Sequence, residues 1–95
     1  MISLRTALSD YLSIRREMGF KLYNDGIMLQ SFLRFLEGHG AEYITNELAV
    51  QWAMEPQHAQ PAYWARRLSM VRLFAQYHST LDHRTEVPPE GFISG

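Results

Sequence analysis

Pro61-Ala62-Tyr63-Trp64-Ala65-Arg66-Arg67-Leu68-Ser69-Met70-Val71-Arg72-Leu73-Phe74-Ala75-Gln76-Tyr77-His78-Ser79-Thr80 decides the fold class. Its apolar residues recur at three- and four-residue intervals. Trp64, Leu68, Val71, Phe74, Ala75 and His78 fall on one side, which predicts an amphipathic helix. Pro61 suits the first helical position, where its missing N–H is not needed. Arg66, Ser69, Arg72 and Gln76 fall on the outer arc. Arg67 falls beside the apolar stripe and is expected to snorkel, with its stem on the core and its head in water.

Working outward, the rest of the chain supplies partners for that stripe. Thr45 is placed to cap a short helix from Asn46 to Met54, with Glu47 in the first turn, where the helix dipole favours an acid. Leu48, Val50, Trp52 and Ala53 are its apolar residues. A longer helix is expected from Leu22 to Glu37. Leu22, Leu29, Phe32, Leu33 and Leu36 form its stripe, Tyr23, Ile27, Gln30 and Arg34 lie opposite, and Gly38-His39-Gly40 stops it. Gly26 inside it costs about 1 kcal/mol against Ala and marks either a close backbone approach or a frayed first turn. Ser3 and Gly19 bracket a first helix from Leu4 to Met18, with Leu4, Leu8, Tyr11, Leu12 and Met18 on one face. Trp64, Leu68, Val71 and Phe74 are expected to pack on Leu8, Leu12, Leu29, Phe32 and Leu36. The fold class is therefore all-α, a compact four-helix bundle over residues 1–81. From Asp82 the periodicity ends, and Val87-Pro88-Pro89-Glu90-Gly91 cannot continue a helix, so residues 82–95 are expected to form an extended linker.

Ninety-five residues suit one domain, and 46% hydrophobic residues are enough to give it a core. No cysteine is present, which removes disulfides and thiolate metal sites and fits a cytoplasmic setting. Met1-Ile2-Ser3-Leu4-Arg5 reaches a charge before any signal core forms, and no run approaches a membrane span. His39, His58, His78 and His83 have no metal-ligand spacing, and Gly38-His39-Gly40 ends a helix rather than opening a phosphate loop. Neither a metal nor a cofactor is expected, and no catalytic constellation can be assembled. The net charge of −1 hides a pattern. Glu37, Glu42, Glu47 and Glu55 occupy a stretch without Lys or Arg, whereas Pro56–Leu81 holds Arg66, Arg67 and Arg72 with no acid. That arrangement predicts an acidic and a basic surface.

Four segments carry a resemblance. They are Ala65–Tyr77, with its Arg-Arg-Leu-Ser run; Tyr11–Leu22, reading YLSIRREMGFKL; Phe32–Glu37 followed by Gly40 and Ile44-Thr45; and Asp82 with Arg84–Pro89. In that order, over nearly the whole chain, they resemble the N-terminal core-binding (SAM-like) domain of the tyrosine recombinase, or phage integrase, family and its linker. The resemblance implies a DNA-binding domain that grips double-stranded DNA in the major groove, chiefly with its second and fourth helices, during DNA integration and recombination. It implies two further partners, neighbouring recombinase protomers and a C-terminal catalytic domain in a full-length enzyme. The catalytic arginines, histidine and tyrosine of that family have no counterpart here, so this piece is not expected to be an enzyme.

Donors on the solvent arcs are the candidate DNA contacts: Lys21, Tyr23, Asn24 and Gln30 on the second helix and its turn, and Arg66, Arg67, Ser69, Arg72 and Gln76 on the fourth. Arginine can reach phosphate or a guanine edge, and serine or glutamine can bond phosphate or base. The alternative is a helical protein–protein interaction module without DNA binding, using the acidic patch and Trp52 as its surface. A salt-dependent interaction with duplex DNA separates the two readings.

Overall fold

The apolar periodicity is realised as four helices: α1 (Leu4–Glu17), α2 (Tyr23–Gly38), α3 (Asn46–Ala53) and α4 (Pro61–His78). The computed structural model describes residues 3–21 and 23–93, and no strand occurs among them. Leu22, expected to open the second helix, lies outside the described residues, as do the last two residues of the expected linker.

The helix ends follow local chemistry. Ser3 Oγ accepts from the Thr6 N–H at 3.1 Å, and Thr45 Oγ1 from the Leu48 N–H at 3.2 Å, so both expected caps are in place. Gly19 closes α1 at φ 92°, with the Phe20 N–H donating back to the Arg15 carbonyl. Gly40 does the same after α2 at φ 66°, with Ala41 N–H on the Leu36 carbonyl. Ser79 and Thr80, expected inside the last helix, end it instead. Their hydroxyls donate to the carbonyls of Gln76 and Tyr77, both at 2.8 Å.

Trp52, Phe32, Phe74, Leu29, Leu33, Leu36, Ile44 and Val71 are fully buried at the centre. Leu8, Leu12 and Leu68 join them as the stripes require, while Trp64 is half-buried and donates its indole N–H to the Pro56 carbonyl at 2.7 Å. Gly26 is buried, and a Cβ there would meet Arg16 Nη2 and Leu12 Cδ1 at 3.5 Å. The close approach is by side chains of α1, not by another backbone.

Three expectations are corrected. Arg67 is 6% exposed and does not snorkel. Its guanidinium lies 3.8 Å from the centre of the Trp52 ring and donates to the Trp52 carbonyl at 2.6 Å. It thus satisfies a carbonyl at the C-terminal end of α3, where a cation complements the dipole. Trp52 has no exposed surface, so the surface imagined for a protein-interaction module loses its aromatic centre. Residues 82–93, expected to form an extended linker, form no helix but lie on the bundle. Pro88 is fully buried, Val87 and Ile93 pack on the core, and the Glu86 N–H donates to the Ile44 carbonyl at 2.9 Å. Glu86 Oε1 accepts from the Asn46 N–H at 2.8 Å, which gives the start of α3 a carboxylate cap. Arg84 grips Asp82 at 2.9 Å and holds its carboxyl down at about 2.

Candidate nucleic-acid interface

The ion pairs sort the cations. Arg5 makes a two-pronged pair with Glu37, at 2.9 and 2.8 Å, and holds the Glu37 carboxyl below its usual range. Arg72 is 3.7 Å from Glu90, and Arg84 is 3.6 Å from Glu42 besides its contact with Asp82. Arg67, in the core, is 3.9 Å from Glu55. Arg15 stacks on Phe20, 4.4 Å from the ring centre. Among the described residues, Arg15, Arg16, Lys21, Arg34 and Arg66 form no ion pair, although the charge of Arg34 also acts on the Glu37 carboxyl.

Arg16, Lys21, Arg34 and Arg66 surround α2. Tyr23, Ile27, Gln30 and Arg34 recur at three- and four-residue spacing along its solvent arc and are all exposed. On one side, Arg16 and Gln30 share a groove with Arg5, Ser9 and Ser13 of α1. On the other, Arg66 and Tyr63 of α4 share a notch with Asn24, Ile27 and Met28. Lys21 is exposed in the turn ahead of the helix. Asp10 and Glu17 occupy a different arc of α1, and Asp25 is half-buried on the inner side of the first turn of α2. A polar ridge with an unpartnered arginine on each flank is suited to a polyanion with two strands of phosphate.

The expected contact residues therefore divide. Lys21, Tyr23, Asn24 and Arg66 gather at the N-terminal half of α2, with Tyr23 78% exposed. Gln30 is exposed farther along the same ridge, on the α1 side. Arg67 is withdrawn into the core, because Trp52 and the end of α3 bind its guanidinium there, and its assignment as a DNA contact is corrected. Ser69 and Arg72 are half-buried along a groove whose other wall is Pro89–Ile93, so the returning chain flanks them. Gln76 is exposed on α4. The expected basic surface over Pro56–Leu81 thus reduces to Arg66, since acids from flanking segments reach Arg67 and Arg72.

Sequence reading passed over Arg16 and Tyr63. Gly26 carried a signal for Arg16, since a glycine on the α1-facing side of α2 leaves room for a side chain from α1. Tyr63 sits three residues before Arg66, one helical turn away on the same side. Among the described residues, no group of three or more His, Asp or Glu side chains is placed to hold a metal ion, and no helix is long and apolar enough to cross a membrane.

The chain is 44% identical, over 93 residues and 98% of its own length, to a Sinorhizobium fredii (strain NBRC 101917 / NGR234) protein bearing the name "Putative integrase/recombinase y4rB". It spans 30% of the length of that relative. No family model matches the chain. No solved structure matches it.

Proposed function

We infer, from the premise that this chain is a relative of part of an integrase/recombinase, that it is the DNA-gripping helical domain of a tyrosine recombinase. On this reading it holds duplex DNA in the cytoplasm while the chemistry of integration and recombination is done elsewhere in a longer protein. The partners are double-stranded DNA, a C-terminal catalytic domain and neighbouring protomers. No residue here is assigned to catalysis.

One observation carries the reading. Four of the five cations that form no ion pair among the described residues, Arg16, Lys21, Arg34 and Arg66, collect around the solvent arc of α2, although the net charge is −1. An α-helix with its side chains is about 10–12 Å across, and the major groove of B-DNA is about 12 Å wide. With α2 in that groove, Arg16 and Arg66 flank it toward the two phosphate strands, and Lys21 and Arg34 extend the contact along its length. Arg72 contributes less than Arg66, because Glu90 already neutralises it.

The test is the salt dependence of duplex binding, measured by fluorescence anisotropy on the full-length protein, where both halves of the grip are present. Removing one cation from a phosphate lowers the slope of log affinity against log salt by about 0.9. The triple change Arg16→Ala, Arg34→Ala and Arg66→Ala is expected to flatten it by up to about 2.7 and to weaken binding to every duplex. Glu47→Gln, on α3, is the control and is expected to change neither quantity. An unaltered slope in the triple variant, with binding abolished in Glu47→Gln, overturns the reading.

A further inference from the structure

The face that gathers the unpartnered cations is not uniformly polar. Ile27 is 50% exposed on the ridge of α2, and Tyr63 is 42% exposed on α4. The two line one notch with Asn24, Met28, Arg66 and Met70. The notch has a volume of about 210 Å³, too small for an ordinary organic ligand. Its inner wall is apolar, from Met28 and Met70, and its rim carries Ile27, one amide and one unpaired guanidinium. A β-branched residue on the solvent arc of a helix gains nothing from helix propensity and little from packing. Its place at the centre of a cationic ridge points to an apolar feature on the polyanion itself.

Duplex DNA offers one such feature in the major groove, the 5-methyl group of thymine. Phosphates, sugars and the other base edges there present charge or hydrogen-bonding groups. We propose that the notch between α2 and α4 reads a thymine methyl group through Ile27 and Tyr63, which makes Ile27 a specificity-determining residue of the DNA face. Asn24 and Arg66, on the rim, are within side-chain reach of the neighbouring purine edges, where asparagine pairs with adenine and arginine with guanine. The proposal rests on the DNA-gripping reading above and adds the base feature that is recognised.

The experiment uses the full-length protein and duplexes selected by it from a random-sequence pool. Each thymine of a selected duplex is replaced in turn by deoxyuridine, which removes the methyl group and leaves the hydrogen-bonding edges intact. At one position per bound protomer, the replacement is expected to weaken wild-type binding about fourfold, the fold-change of one buried methyl-sized group. Ile27→Ala is expected to bind the thymine and deoxyuridine duplexes equally at that position and to keep the wild-type salt slope. Ile27→Val, which retains the branched methyls, is expected to fall between them. A pool selected by Ile27→Ala loses its thymine preference at that position alone. If the wild type tolerates deoxyuridine everywhere, or if Ile27→Ala keeps the same deoxyuridine sensitivity, the notch does not read a methyl group, while a normal salt slope leaves the DNA-gripping reading standing. Absence of salt-dependent duplex binding overturns both.

Discussion

Arg67 and His78 are polar residues held inside α4, and each makes the stability of the domain depend on something solvent would otherwise supply. The Arg67 guanidinium stacks on Trp52 and donates to the Trp52 carbonyl. Arg67→Ala is expected to destabilise the fold by about 2–4 kcal/mol in urea titration, because it removes a charge-assisted bond and a cation–π contact together. Lysine there is expected to recover only part of that stability, since it lacks the planar fork. His78 is buried and stacks on Phe74, with ring centres 5.8 Å apart. Burial pushes its pKa below the ordinary histidine value, and Asp82 opposes the shift only in part. With the folded pKa depressed, the unfolded chain binds the proton more readily. Stability is therefore full above about 6.5 and declines as pH falls from there toward the folded value. Urea midpoints compared at pH 7.5 and 5.5 are expected to show the decline in the wild type and a smaller one in His78→Leu. Periodicity placed Arg67 beside the apolar stripe but could not give its depth. That depth depends on a ring and a carbonyl of α3, which no reading of α4 by itself contains.

Between helices, the chain that follows α4 is a structural element without regular structure. Glu86 joins it to the loop before α3, by its N–H to the Ile44 carbonyl, and to the first residue of α3, by its carboxylate to the Asn46 N–H. Glu86→Ala is expected to lower stability by about 0.5–2 kcal/mol, the usual effect of removing an N-terminal cap, and Glu86→Gln to restore part of it. Thermal melts of the two variants check this. Caps made by nearby residues, at Ser3, Gly19, Gly40 and Thr45, were legible because donor, acceptor and turn lie within one short window. The cap from Glu86 was not, because its partner is 40 residues away in sequence. Pro88-Pro89 correctly argued against a helix. That argument says nothing about burial, and Pro88 has the composition of a linker with the exposure of a core residue.

Across the whole molecule, the pattern of charge along the chain did not predict the pattern in space. The stretch Pro56–Leu81 holds no acid, yet Glu55, just before it, and Glu90, in the returning chain, reach Arg67 and Arg72. Conversely Arg16, on α1, joins Lys21 and Arg34 around α2 only because α1 packs beside it. The exposure of the second-helix candidates was legible, because azimuth on one helix follows from spacing. On the fourth helix, spacing gave the exposure of Arg66 but not the burial of Arg67, because which cations find partners is a property of the assembled surface.

The segregation of unpartnered cations around α2 has a consequence for motion as well as for contact. A body of net charge −1 is weakly repelled by a polyanion, but separated centres of charge also experience a torque in its field. On the proposed DNA-gripping reading, the domain turns α2 toward the duplex within about 8–10 Å of the phosphates, the distance over which charge is felt at ordinary salt. On that reading encounters are sorted by orientation, and a domain of net charge −1 still meets the polyanion with its cationic ridge in front.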